Sequence, residues 1–367
     1  MVDIIDYFPM ERWEQMRLFL SECYRLDHAI CDRKFFEWQF QADPSDGNAS
    51  VLCGWENDRL VGILGYLPFS VHWGELGNPY PAVWLLYWMV RKETQRGLGW
   101  LLTKRIQEKY TLLLTVNASE LGGPFFKKLG WAFFPRVARY TCVFDKKQCV
   151  PLLFPSAIES DLDKMIFRPI FPDPDSITEV ALNKENYHPD WKLYSGLSFG
   201  TVRSLSYLTW RYFKHPVFKY YVILKGEAQR PAVCIYRIEK AFGIYDALVG
   251  RIVDFFHPDD KQGKTDGLIL MQGVLQYLKN KGCSYVDFIC SNRTYSQTFL
   301  DLGADEEPND RQILPVRITP IQHTLRHQNF AFLAPQGGHF PVLENMHITK
   351  SDIDGDGPAL IPKNDSR

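Results

Sequence analysis

The residues with the clearest chemical potential lie in one turn, Gln95-Arg96-Gly97-Leu98-Gly99. It follows an apolar run, Ala82 to Val90, and opens a helical pattern with Leu98, Leu101, Leu102, Ile106 and Tyr110 on one face. A strand feeding a glycine turn and then a helix builds an anion site, because the first backbone N–H groups of the helix lack partners and its dipole adds partial positive charge. Here the amides of Gly97, Leu98, Gly99 and Trp100 would form it, with Arg96 adding charge. Glycine admits close approach of the backbone to a pyrophosphate, although a tight turn needing positive φ would call for the same letters. The second half of the chain offers only Gln262-Gly263-Lys264-Thr265-Asp266-Gly267, without that spacing. The anion is therefore expected in the first half.

The elements that must position this turn occur twice. Phe35-Phe36-Glu37-Trp38-Gln39-Phe40 reappears as Tyr207-Leu208-Thr209-Trp210-Arg211-Tyr212, and in both copies a proline follows six positions after the tryptophan (Pro44, Pro216). The apolar runs that begin at Arg59 and Arg230 match, as do Phe126-Lys127-Lys128-Leu129-Gly130 and Phe299-Leu300-Asp301-Leu302-Gly303. The offsets, 172, 171 and 173, are constant within ordinary loop variation, which points to a duplication. Two copies of one α/β unit are expected, residues 1–150 and 151–325, followed by a polar tail, 326–367. In copy one periodicity predicts helices over 10–24 and 32–39, a hairpin over 50–56 and 59–73, and a strand over 82–90. The glycine-turn helix comes next, then a strand over 111–116, a short helix capped at Gly130, and a last strand pair ending at Phe144. Copy two supplies a helix over 266–279, a strand over 284–289 and a helix ending at Gly303. This is a mixed-sheet α/β order with helices on both faces.

A chain of 367 residues suits two such domains, and its 46% hydrophobic content excludes a disordered class. Lys+Arg 42 against Asp+Glu 43 argues against a dedicated nucleic-acid binder. The most apolar stretch, Pro81 to Val90, is too short to cross a bilayer, and the first residues carry no basic leader pattern. Eight cysteines without a C-x-x-C pair read as free thiols in a reducing cytoplasm.

With turn, helix and the Phe-x-x-Leu-Gly-aromatic closure in place, the chain resembles the GCN5-related N-acetyltransferase (GNAT) superfamily. Its members seat the pyrophosphate of acyl-CoA on a Gln/Arg-x-x-Gly-x-Gly/Ala turn. Gly97 and Gly99 fall on the two family glycines, and Thr94 on the Gln/Arg position, which a one-residue gap would give to Gln95. The closer resemblance is to tandem-repeat GNAT enzymes of bacterial surface-polysaccharide (O-antigen, lipopolysaccharide) pathways. It is carried by Tyr207 to Phe218, by Arg251-Ile252-Val253-Asp254-Phe255 and by the segment from Ile348 to Asp356. The resemblance implies two tandem GNAT-like mixed-sheet α/β repeats with a C-terminal tail, and acyl-CoA as co-substrate in the first. It also implies a dTDP-linked amino-dideoxyhexose as acceptor on the second-repeat side, and an acetyl or 3-hydroxybutanoyl group as cargo.

By the same resemblance the Met89 and Val90 amides would bind the thioester oxygen, and Asn117 would bond the pantetheine or serve as a turn residue. Many members use a tyrosine acid where this chain has Phe126; Tyr87 or water could substitute. The strand Val83 to Val90 holds no carboxylate, so Asp254 on the matching strand of copy two is the base candidate, against its reading as a turn cap. An amine titrating near pH 8 is about one-tenth neutral at pH 7, so positioning alone could suffice. Trp84, Trp88, Trp38 and Trp210 could stack on a base or sugar, with Trp38 and Trp210 mainly core by the repeat argument. Arg211 could meet a diphosphate or be a solvated helix arginine, and His215 reads as a helix C-terminal histidine.

The run Asp352-Ile353-Asp354-Gly355-Asp356-Gly357 imitates half a calcium loop, but Lys363 stands where a bidentate Glu is required. No His/Cys cluster has zinc spacing, so no metal is expected. Two alternatives remain: a Fem-type aminoacyl-tRNA-dependent transferase, which would need a basic surface, and a non-catalytic CoA-binding protein.

Overall fold

The structure is a computed structural model that describes residues 2–24, 27–41, 44–94, 96–118, 122–172, 178–241, 247–325, 327–335, 341–352 and 356–358. Near-continuous apolar runs within Val51–Glu56, Arg59–Trp73 and Glu75–Val90 build a long antiparallel meander. Asn57 and Asp58, both in the left-handed region that asparagine and aspartate tolerate, turn the first hairpin. The first sheet runs Asp3–Ile5, Val51–Glu56, Arg59–Trp73, Glu75–Val90, Leu113–Val116, Phe330–Leu333, Ala132–Phe134, with Phe199–Thr201 pairing the 59–73 strand. The second runs Tyr221–Lys225, Ala232–Lys240, Leu248–Phe256, Cys283–Ile289, Arg139–Val143, Asp305–Glu306.

The two sheets exchange strands across the expected boundaries. Arg139–Val143 does not pair with Ala132–Phe134, as its place in copy one suggested; it lies antiparallel to Cys283–Ile289 in the second sheet. In return, Phe330–Leu333 leaves the supposed polar tail and enters the first sheet between Leu113–Val116 and Ala132–Phe134. The reason is burial: Phe330, Ala331 and Phe332 are fully covered there.

Helices Arg33–Phe40 and Leu98–Gln107 cover the first sheet, and Lys261–Asn280 and Arg293–Asp301 the second. The expected helix at 207–212 is short, Leu205–Leu208, and widens into a π turn over Thr209–Phe213. At the junction the repeat becomes visible as symmetry. Trp38 and Trp210 stack with centroids 5.0 Å apart, and each indole N–H donates to the other's carbonyl, at 3.1 and 2.9 Å.

Candidate functional site

The centre of the first sheet carries a local fault. Ile63 pairs with Met89 but Gly65 pairs with Leu86, so the 75–90 strand holds one extra residue around Tyr87 and Trp88. Tyr87 is held at φ 46°, in the left-handed region. On its other edge this strand pairs in parallel with Leu113–Val116 only at Val83↔Leu113 and Trp84↔Leu114. Beyond that the Thr115 hydroxyl, rather than an amide, reaches Leu85 O at 3.1 Å. A gap therefore opens between the two strands from the bulge onward. The Arg91 N–H donates to Val61 O (2.9 Å), which puts Val90 opposite Gly62 in the non-hydrogen-bonded register. The Val90 N–H accordingly points away from the 59–73 strand, toward the gap, while Met89 is in the opposite phase.

The glycine turn ends at the same place. Gly97 is the N-cap of Leu98–Gln107 at φ 90°, ψ 0°, a conformation that suits glycine, and it offers no side chain to cap the helix. The first intrahelical bond, Leu101 N–H to Gly97 O at 3.0 Å, leaves the Leu98, Gly99 and Trp100 amides without intrahelical partners at the positive end of the dipole. Gly99 serves a different purpose: a Cβ there would lie 2.6 Å from the Trp88 ring, whose Nε1–H donates to Gly99 O at 3.1 Å. Leu98 fills the space above Gly54 and Gly62, anchoring the helix start. Trp100 is exposed, with Lys104 Nζ 5.5 Å from its ring centroid. Arg96 is exposed beside the turn, and Gln95 lies outside the described residues.

Around the bulge the structure gathers residues that spacing alone did not connect. Tyr87 meets Tyr24 and Phe40 edge-on, and Tyr24 stacks on His28 at 4.4 Å. His28 Nδ1 accepts from the Ile30 N–H at 3.2 Å, which leaves Nε2 to carry the proton of the neutral ring. Burial and then Arg317 lower its pKa, keeping it neutral at pH 7. Asn117, at φ 55°, donates its N–H to Asn329 O (3.2 Å), and the Asn329 side chain clamps both backbone groups of Ala118 at 2.8 Å. Asn329, from the supposed tail, thus fixes the end of the 113–116 strand. Phe126 is buried against Trp131, away from any acid role.

Three expected site residues belong to the interior instead. Trp84 is fully buried, its Nε1–H donating to Thr201 Oγ1 at 3.0 Å. Asp254 is closed off by Arg203 Nε at 2.6 Å and His347 Nε2 at 2.9 Å, so it has no open path to an amine. Burial would raise its carboxyl, but Arg203 and His347 outweigh that and hold it below the ordinary range. Arg211 is neither solvated nor open to a diphosphate; it is buried among Trp38, Tyr212 and Tyr220 and donates to Ser351 O at 3.1 Å. His215 is buried too, its Nδ1 accepting from the Val217 and Phe218 amides. Trp210 alone of the three substrate-side candidates borders open space, a cavity of about 810 Å³ shared with Trp38, Arg33, Glu37, Asn48 and Lys214. Asp352 and Asp356 of the calcium-like run are spent on Arg203 and Arg237, and 353–355 lie outside the described residues. Among the described residues no group of three His, Cys, Asp or Glu could hold a metal, and no helix is long and apolar enough to cross a membrane.

In the second half the equivalent strand gap is occupied by protein. Lys261–Asn280 has a carboxylate cap, Asp260 Oδ1 on the Gly263 N–H at 2.8 Å; Gly263 and Gly267 lie inside this helix, packed on Pro258 and His257. Leu248–Phe256 and Cys283–Ile289 pair from Leu248↔Cys283 to Ile252↔Phe288. Where they part, the chain's own residues 346–352 enter. The Ser351 N–H donates to Val253 O (3.1 Å), Ser291 N–H to Ile348 O (3.0 Å), and Cys290 bridges Thr349.

No family model matches this chain, and no curated protein matches it in sequence. Solved structures do share its fold. A GCN5-related N-acetyltransferase from Anabaena variabilis superposes with a TM-score of 0.54 at 12% identity, covering 90% of this chain and 72% of that one. A conserved Enterococcus faecalis V583 protein of unknown function gives 0.53 at 12%, with the same coverage. Saccharomyces cerevisiae N-myristoyltransferase, solved with bound myristoyl-CoA and inhibitors, gives 0.51 at 13%, covering 95% and 84%. The expected fold class holds: the chain has the two-lobed GNAT-type α/β architecture.

Proposed function

We propose that the chain is an acyl-CoA-dependent N-acyltransferase that loads its donor in the first half. The observation that carries this is the meeting, at one point, of a helix start whose first amides lack intrahelical partners and a gap between two parallel strands beside a bulge. The Leu98, Gly99 and Trp100 amides suit a pyrophosphate. The gap suits an extended pantetheine, with Asn117 at its edge. The Val90 amide, aimed into the gap, suits the thioester oxygen as negative charge builds there; Met89, in the other phase, supports the strand.

An acceptor amine entering between Tyr24, His28 and Tyr87 would attack the thioester carbon. A C–N bond forms, the C–S bond breaks, the amine loses a proton and the thiolate gains one. Tyr87, at the bulge, would serve as the hydroxyl donor for the thiolate. His28, neutral and with Nδ1 engaged, orients the acceptor through its Nε2–H. Asp254 takes no part, and the deprotonated fraction of the amine serves in place of a base.

As acceptor we propose the amine of a dTDP-linked amino-dideoxyhexose, with acetyl or 3-hydroxybutanoyl as cargo, in surface-polysaccharide synthesis. This finer reading rests on the sequence resemblance, supported by the aromatic cavity at Trp38 and Trp210, which suits a sugar or base. Following free thiol release from acetyl-CoA and 3-hydroxybutanoyl-CoA with a panel of amines tests both levels. Turnover on dTDP-aminosugars is expected. Turnover on other amines alone would remove the sugar, and calorimetry without heat for coenzyme A would remove the donor.

A further inference from the structure

We infer that the second half keeps a separate binding site for a phosphorylated, nucleotide-sized small molecule in the cavity between Lys261–Asn280 and Arg293–Asp301. The cavity measures about 860 Å³, within the ~300–1,000 Å³ span of small-molecule sites. Four separate segments build it: the stretch from His257 through the first turns of Lys261–Asn280 to Leu268, one face of Arg293–Asp301 along its whole length, the 195–198 turn, and the turn at Glu344 and Asn345.

Its charge pattern points to an anion. Lys261, Lys264 and Arg293 line it, and among the described residues none has an ion-pair partner, whereas Arg139, Arg203, Arg237 and Arg251 of the same half are all paired. Of the lining carboxylates, Asp301 accepts from Gln297 Nε2 at 2.8 Å and Glu344 comes from the Leu343–Asn345 turn. Two more lie nearby and are engaged: Asp259 accepts the Gly196 N–H, and Asp260 pairs with Arg230 at 2.6 Å. Two buried polar groups at the wall are under-used. His257 donates Nδ1–H to Pro258 O, leaving Nε2 only a 3.4 Å contact with Thr298 Oγ1. The Tyr295 hydroxyl lies fully buried behind Gly196 and, among the described residues, has no hydrogen-bond partner. Ser198, Thr294 and Thr298 add hydroxyls for a ribose or phosphate, and Leu268 an apolar face. By the repeat, this is the counterpart of the groove beside Leu98–Gln107. Because residues 346–352 close the strand gap behind it, the ligand has nowhere to thread an acyl arm.

The inference goes beyond the proposed activity and does not depend on it. Calorimetry with ADP as probe, in the presence of saturating coenzyme A, should reveal binding that inorganic phosphate weakly competes for and adenosine does not reproduce. Lys261→Glu/Lys264→Glu and Arg293→Glu, all at exposed positions, should each weaken ADP by about tenfold or more, and added salt should weaken it in the parent. Circular dichroism checks that the variants fold. No ADP heat, equal binding of adenosine, or heats indifferent to the charge reversals would overturn the inference. Loss of coenzyme A binding with ADP binding intact would instead strike the donor assignment and leave this site standing.

Discussion

The two halves share a fold and differ at one place, the gap beside the central strand. In the first half the 75–90 strand leaves its parallel neighbour after Trp84, and the helix beyond begins with three amides that lack intrahelical partners. In the second, pairing continues to Ile252, Asp260 caps the helix, and residues 346–352 fill the space that remains. Asp260 takes the Gly263 amide at the helix start, and peptide stands where an extended ligand would run. Duplication thus yields one half whose strand gap is open and one whose strand gap is closed by the chain's own residues.

The largest effect should come from unseating the filled half. Asp287 accepts Arg251 at 2.5 Å, Lys350 at 2.8 Å and Arg139 at 3.0 Å, all buried. Asp287→Asn leaves three cations short of one counter-charge and should cost about 3–5 kcal/mol, read by denaturant unfolding. A loss below about 1 kcal/mol would mean that the 346–352 segment is not held by this network. Acid tests the same network without mutation. Burial would raise Asp254, Asp287 and Asp356, but their cationic partners outweigh it and hold all three below the ordinary carboxylate value. Groups depressed in the fold contribute stability that is complete above the unfolded pKa, about 3.9, and lost as pH falls toward the folded one. Tm should therefore hold down to about pH 4 and drop steeply below it.

The open half can be made to resemble the closed one. Gly97→Asp would write a carboxylate beside the Leu98–Trp100 amides, and Gly97→Asn would do so with the same shape and no charge; both residues tolerate the left-handed region. Coenzyme A affinity should fall about tenfold further for Asp than for Asn. Equal losses would mean that backbone strain, and not the anion site, is what Gly97 serves.

Much of this architecture is legible in the chain. The hairpin over 50–56 and 59–73, the glycine-turn helix and the helices of the second half follow from periodicity and turn residues, which are local. The exchange of Arg139–Val143 for Phe330–Leu333 does not, because pairing partners are set by distant contacts. A trace was present, since Phe330-Ala331-Phe332-Leu333 is too apolar for a solvated tail. Asp254 and Arg211 are illegible for a related reason: a lone charge on a strand or helix reads as reactive or solvated, and only its distant partners, Arg203 and His347 or Ser351, reveal it as interior. The aromatic cluster of Tyr24, His28 and Tyr87 is likewise assembled from three elements. What was fully visible was the repeat, and it carries one further consequence.

Equivalent residues in a duplicated chain meet at the pseudo-twofold axis, as identical surfaces meet in a symmetric dimer. Trp38 and Trp210, 172 residues apart, do so with a stacked pair and two reciprocal hydrogen bonds. Each ring therefore contributes twice, once as a donor and once as a face. Trp38→Phe or Trp210→Phe keeps most of the face and removes one indole donor, so each single change should cost about 1 kcal/mol. Since each substitution also alters the stack that the other ring depends on, the double variant should fall short of additivity by about 0.5–1.5 kcal/mol. Strict additivity in a double-mutant cycle would reduce the pair to two independent contacts and remove the axis as a structural unit.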